Sequence, residues 1–143
     1  MDTPCTCFAL RRLTRTVSRL YDQHLAATGI KATQFALLRA VQHEARPITQ
    51  LADLLGLERT TLTRNLRPLQ DAGLLVQSAG RDARQRLVAI TPEGKDKVRE
   101  AKAAWRKAQS AVQQALGDGP TRALHEDIAL AMARISPLLT EEQ

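Results

Sequence analysis

Apolar residues recur at three- and four-residue steps along much of this 143-residue chain. That spacing lays them on one face of a helix with about 3.6 residues per turn. Leu10, Leu13, Val17, Leu20 and Leu25 form such a stripe, with Gly29 as a stop, and predict a long first helix over residues 6–28. Phe35, Leu38 and Val41 predict a shorter second helix that ends before Pro47. Thr49 reads as the N-cap of a third, which runs through Leu55 and closes at Gly56. A fourth spans Arg59 to Ala72, with Leu62, Leu66 and Leu69 inward and Gly73 after it. The period then changes. Leu74-Leu75-Val76 and Leu87-Val88-Ala89-Ile90 are short apolar runs around the polar stretch Gln77–Arg86, which predicts a β-hairpin with a long, mobile loop. Thr91-Pro92-Glu93 supplies a cap, a proline for the first turn and an acid beside the helix N-terminus. The fifth helix follows, with Val98, Ala101, Trp105, Ala108 and Val112 on one stripe. Gly117-Asp118-Gly119-Pro120 breaks it, and Leu124, Ile128, Ala131, Ile135 and Leu138 predict a sixth.

The expected fold class is therefore mainly α with a small β-hairpin wing, in one domain covering 1–143. Within it, residues 48–73 read as a helix-turn-helix. Ala52 is small where two helices must approach, Gly56 sits in the turn, and Leu51, Leu55, Leu62 and Leu66 supply the crossing contacts. The second helix of the pair turns Arg59, Thr60, Thr61, Thr63, Arg64 and Arg67 outward, a surface able to bond base edges and phosphates. The hairpin loop after it carries Arg81, Arg84 and Arg86, which suits a wing that reaches a minor groove or its flanking phosphates. Pro68 removes a backbone donor and is expected to bend the recognition helix past its outward half. The first, fifth and sixth helices carry narrow apolar stripes of the kind that pack side by side, and a two-fold dimer fits them.

Charge changes this picture in one respect. The net charge is +6, and residues 59–107 hold 12 Lys and Arg against 5 Asp and Glu, so the excess lies on the proposed reading helix, the wing and the start of the fifth helix. A localised basic centre is an electrostatic footprint for nucleic acid. No apolar run approaches the ~18 residues of a membrane span. Arg11, Arg12, Arg15 and Arg19 interrupt any signal-peptide core, so a cytoplasmic protein without membrane contact is expected. Two cysteines close together near the start are the wrong pattern for a secreted disulfide framework.

The order of elements resembles the MarR family of winged helix-turn-helix regulators over nearly the whole chain. The segments LADLLGLERTTLTRNLRPLQDAGLL (51–75) and RDARQRLVAITPEGK (81–95) carry the resemblance. The family's Asp-Arg-Arg wing motif stands here as Asp82-Ala83-Arg84, so the first arginine of the motif is absent. The resemblance implies that Arg84 enters the minor groove, that Arg81 and Arg86 contact phosphates, and that Asp82 orients an arginine. It implies a homodimeric repressor on a pseudo-palindromic operator, with residues 30–94 as the DNA-binding lobe and residues 1–29 and 95–143 as dimerisation helices. It also implies release by a signal.

Two signals are expected as alternatives. One is a small aromatic or anionic effector held between the dimerisation helices and the lobe. Its candidate residues are the aromatics Phe8, Tyr21, Phe35 and Trp105, with Arg12, Arg15, His24 and Arg106 for a carboxylate. The other is a thiol switch: Cys7-Phe8 followed by Tyr21 resembles the first helix of the OhrR-type thiol-sensing branch, though that branch's other tyrosine is Arg11 here. A helix N-terminus and a nearby arginine would favour a Cys7 thiolate, and Cys5 could resolve a sulfenic acid, in a cramped bridge if both residues are helical. No third metal ligand can be placed beside the pair, and no cofactor is expected.

An enzyme is the weakest reading. His24, His43 and His125 lack metal-ligand spacing, and there is no glycine-rich phosphate loop or nucleophile elbow. A winged-helix module that binds a protein partner, or DNA without sequence preference, is the runner-up. A protein-binding face would be acidic or apolar; this one is Arg- and Thr-rich.

Overall fold

The computed structural model describes residues 3–139; residues 1–2 and 140–143 of the predicted 1–143 domain lie outside the described residues. The first apolar stripe folds as α1 (Thr6–Leu25), continued by a 3₁₀ turn at Ala26–Thr28. Gly29 ends it at φ 78°, the left-handed conformation in which a side chain would be strained. The next helix, α2 (Ala32–Ala40), starts under a cap supplied from α1: the Asp22 Oδ1 accepts from the Ala32 N–H at 2.8 Å. Ala32 is a first-turn residue whose N–H has no partner within α2, so Asp22 ties the two helices together. Asp22→Ala is therefore expected to cost about 1 kcal/mol in urea unfolding. A loss below about 0.3 kcal/mol would mean that water caps α2 equally well.

Helices α3 (Ile48–Leu55) and α4 (Arg59–Asp71) make the helix-turn-helix. Gly56 occupies the turn at φ 64°, and its N–H bonds the Ala52 and Asp53 carbonyls. Thr49 is not the N-cap of α3. Pro47 holds that place in extended conformation, and Thr49 is already inside the first turn. The physical reason is that residues 46–47 form a strand, β1 (Arg46–Pro47), which feeds straight into the helix. Pro68 lies inside α4, which continues to Asp71, and its exposed ring removes the hydrogen bond that the Arg64 carbonyl would otherwise accept.

The wing is β2 (Leu75–Ala79) and β3 (Arg86–Ile90), with β1 added on the other side of β3 in the order β1-β3-β2. All pairings are antiparallel, and the Leu75↔Ile90 to Ala79↔Arg86 register makes the strands longer than their apolar runs. The loop is correspondingly short, only Gly80–Gln85, and it is pinned. The Gly80 N–H donates to the Gln85 carbonyl at 2.7 Å, and Gln85 to the Asp82 carbonyl at 2.9 Å. Asp82 does not orient an arginine side chain as expected: its Oδ1 accepts from the Arg84 backbone N–H at 3.1 Å, an Asx-type turn that shapes the wing tip.

Helix α5 (Pro92–Leu116) opens under Thr91, whose Oγ1 accepts from the Gly94 N–H at 3.0 Å and donates to the Gly73 carbonyl at 2.7 Å. A single residue, Gly117, separates it from α6 (Asp118–Ile135); Gly119 and Pro120, expected in the break, lie in the first turn of α6. There the missing N–H of a proline costs nothing, because first-turn donors have no helical partner. The core runs from the lobe into the first half of α5. Leu37, Leu38, Leu51, Leu62, Leu66, Leu69, Leu75 and Val88 are buried together, with Leu25 of α1 and Val98 and Ala101 of α5 joined to them. Beyond Trp105, which still packs against Phe35 of α2, α5 pairs with α1 and α6, and α6 buries none of its side chains. Among the described residues, no helix is long and apolar enough to cross a membrane.

Candidate nucleic-acid interface and effector pocket

Leucines at 62, 66 and 69 pull one side of α4 into the core, and this alone decides which residues face outward. Arg59, Thr60, Thr63, Arg64 and Arg67 are exposed, while Thr61 is half-buried and less available. The Thr63 hydroxyl donates to the Arg59 carbonyl at 2.9 Å, which leaves its methyl and its oxygen lone pairs for a partner. At the wing, Arg81, Arg84 and Arg86 are all exposed. None of the arginines at 59, 64, 67, 81, 84 or 86 has a carboxylate partner among the described residues. Unpaired guanidiniums on an outward helix and an adjoining hairpin can bond guanine edges and phosphates without first breaking an internal ion pair.

A cavity of about 480 Å³ lies where α1, α2 and α5 meet. Of the predicted effector residues, the structure brings Tyr21, Phe35 and Trp105 into its wall, together with Val17, Ser18 and Arg39. The Phe35 and Trp105 rings stand 5.9 Å apart and tilted by 34°. Arg39 is the cation of this site, with its guanidinium carbon 4.9 Å from the Trp105 ring centre and 5.9 Å from that of Phe35. The sequence reading missed it, although its position four residues after Phe35 places both on one face of α2.

Phe8, Arg12, Arg15, His24 and Arg106 do not line this cavity. Phe8 is 13 residues before Tyr21 on α1, about 20 Å along the helix axis, and is exposed there. Arg12 and Arg15 lie on the same outer half, roughly 9–14 Å from Tyr21 along the axis, and both are exposed. Arg106 follows Trp105 by about 100° around α5 and points to solvent. Burial without a charged partner holds the Tyr21 phenol above its ordinary value, and its hydroxyl donates to the Gln109 Oε1 of α5.

Cys5 and Cys7 are both exposed, free thiols. Cys5 is the extended N-cap residue of α1, so only Cys7 is helical and the expected crowding of a bridge between two helical residues does not arise. Tyr21 cannot hold Cys7 within one chain, because 14 helical residues separate them by about 21 Å. Among the described residues no group of three metal-binding side chains occurs.

Residues 32–78 match the family model described as a helix-turn-helix domain. The M. tuberculosis transcriptional regulator MosR, solved in complex with DNA, is 34% identical, with 95% of this chain and 100% of that one covered at a TM-score of 0.84. This chain belongs to the MarR family of winged helix-turn-helix transcriptional regulators. Another structure of M. tuberculosis MosR matches this MarR-family regulator at 31% identity over 92% of the chain and 96% of its own, with a TM-score of 0.79. Bordetella bronchiseptica BpsR, whose structure concerns regulation of its DNA binding by 6-hydroxynicotinic acid, shares the fold at 19% identity. That match covers 93% of this chain and 97% of BpsR, with a TM-score of 0.81. Among curated proteins no significant sequence match is found. A DNA-binding transcriptional regulator is thus what the fold and its relatives make of this sequence.

Proposed function

We propose that the protein is a homodimeric, sequence-specific repressor acting in the cytoplasm, without catalytic activity, cofactor or metal, and released from DNA by a small aromatic acid. The observation that carries the DNA reading is the unpaired Arg/Thr face of α4 beside three unpaired wing arginines. Residues 30–94 form the DNA-binding lobe, and residues 1–29 and 95–143 the dimerisation helices. Two α4 helices enter successive major grooves about 34–36 Å apart on a pseudo-palindrome. Arg59, Thr60, Thr61, Thr63, Arg64 and Arg67 meet the major groove, Arg84 the minor groove, and Arg81 and Arg86 the flanking phosphates. A wing arginine in the minor groove is held there by the negative potential between the two strands.

The dimer reading rests on α1 and α6. Within one chain Phe8, Leu10, Leu13, Ile128, Met132 and Ile135 are exposed, and α6 has no buried side chain of its own. A second copy that covers this face completes its burial. The effector reading rests on the 480 Å³ cavity, where an aromatic ring fits against Phe35 and Trp105 and Arg39 meets its carboxylate. BpsR, with its aromatic acid, supports the same ligand class.

Fluorescence anisotropy on the DNA upstream of the protein's own gene tests the proposal, with scrambled DNA as competitor. Tight binding that resists the competitor is the expected result; weak binding lost equally to scrambled DNA would point to the non-specific module instead. Arg64→Ala should cost about 1–3 kcal/mol on the operator and relax specificity. Equal loss on operator and scrambled DNA would remove Arg64 from base reading. Arg84→Ala should weaken both and lower the salt slope by about 1.

A further inference from the structure

The chain crosses between the flanking helices and the DNA-binding lobe twice, once at residues 26–31 and once at Thr91. At the second crossing the Thr91 side chain joins the Gly73 carbonyl to the Gly94 N–H in the first turn of α5. The first crossing is fastened to α5 as well. The Lys97 ammonium donates to the Thr28 carbonyl at 2.9 Å, from 69 residues away in sequence. Thr28 ends the 3₁₀ turn that continues α1, and carbonyls at such an end lack a helical partner. A cation there also meets the negative end of the helix dipole.

Lys97 differs from the other basic residues of α5. Lys95, Arg99, Lys102, Arg106 and Lys107 are exposed, whereas Lys97 is turned inward with 25% of its side chain accessible. Glu100 holds the same ammonium at 3.0 Å, but an ion pair along one helix surface contributes little by itself. The bond to Thr28 is the one that joins separate elements. Among the described residues Thr28 is the only buried polar residue, and its hydroxyl donates to the Leu25 carbonyl at 2.6 Å. The joint is thus shielded from water, where a charge-assisted bond is strongest. Gly29 follows directly at φ 78° and is the natural pivot if that bond is lost.

We infer that Lys97 is a positioning residue for DNA recognition. It fastens the joint between α1 and α2 to α5, and so sets the separation of the two α4 helices in the dimer without touching DNA. This rests on the reading of a homodimer on an operator with two half-sites. One base pair displaces a half-site by about 3.4 Å and rotates it, so a dimer with fixed lobes accepts one spacing. With the joint freed, only a fraction of the molecules hold the required separation, and the apparent affinity falls by that fraction. The same freedom lets the lobes follow a displaced half-site.

Anisotropy titrations would use the operator footprinted upstream of the protein's own gene, and versions with one base pair inserted or removed at its centre. Wild-type protein is expected to lose at least about tenfold in affinity on the altered spacings. Lys97→Met keeps the length and apolar stem of the side chain without the ammonium. It should bind the native operator about fivefold more weakly, and lose less than about threefold when the spacing changes. Lys97→Arg, which can still donate to Thr28, should behave as wild type. Lys97→Gln, a bond shorter and uncharged, should match Lys97→Met and replaces it if methionine unfolds the protein. The salt slope should stay that of wild type in every variant, because no phosphate contact is removed. A spacing penalty in the neutral variants as large as that of wild type overturns the inference, whatever their stability, and leaves the dimer on its operator standing. A salt slope lower by about 1 makes Lys97 a phosphate contact and equally overturns it. Wild-type protein that leaves no footprint, or ignores the spacing, overturns the homodimer reading and the inference with it.

Discussion

Gly94→Ala should lose about 3 kcal/mol of folding stability, the upper end of the usual range for an overpacked core. A Cβ at Gly94 would sit 2.2 Å from the Leu74 carbonyl oxygen and 2.6 Å from the Ile90 side chain. The nearer neighbour is backbone at the entry to β2, so no rotamer change relieves it. Thr91 leaves α5 little room to back away, since its side chain joins the Gly73 carbonyl to the Gly94 N–H. For a chain of this size the loss corresponds to a fall in Tm of roughly 10 °C. Thermal and urea unfolding would measure it. Gly119→Ala is the matched control: nothing lies within 4 Å of its Cβ, and it should gain up to about 1 kcal/mol in the first turn of α6. A Tm for Gly94→Ala within about 2 °C of wild type would show that α5 is free to slide on the wing.

Ile128→Arg combined with Ile135→Arg should convert the proposed dimer to monomer and raise the operator Kd by at least about 100-fold. Both side chains are roughly half exposed in the single chain, 45% and 51%, so charging them should not damage the protomer. In a dimer they would instead bring four guanidiniums into an apolar interface, where a charge without a partner carries a heavy desolvation cost. One lobe alone then binds one half-site and loses the advantage of linkage. Sedimentation equilibrium gives the oligomeric state and circular dichroism confirms the helices. A dimer of wild-type affinity would move the interface off α6.

Most of the secondary structure was legible because it rests on local rules. Leu62, Leu66 and Leu69 set both the existence of α4 and its outward face, since neighbours three and four residues apart settle a helix. Gly29, Gly56 and Gly117 marked helix ends because each adopts a positive φ. The strand β1 was not legible. Two residues, one of them proline, carry no alternation, and the strand exists only because Arg46 and Pro47 find Val88 and Leu87 across the sheet. Thr49 was misread as a cap for the same reason: a strand that the sequence does not reveal delivers the chain into α3 two residues earlier, at Pro47.

The candidate effector cavity divides in the same way. Sequence could name the aromatics, of which Tyr21, Phe35 and Trp105 line one cavity. It could not tell them from Phe8, because a helix periodicity fixes the face of a residue and not which other helix lies opposite. Arg39 entered the site, and Arg12, Arg15 and Arg106 left it, once α1, α2 and α5 had packed. What the sequence determined by itself was the helix-turn-helix, the arginines of its outer face and wing, and the apolar stripes of the long flanking helices. These are properties of residues a few positions apart. Tertiary structure alone decided that Tyr21 meets Gln109, 88 residues away, and that Arg39 stands over Trp105. Such contacts depend on the crossing of packed helices, which no local spacing specifies.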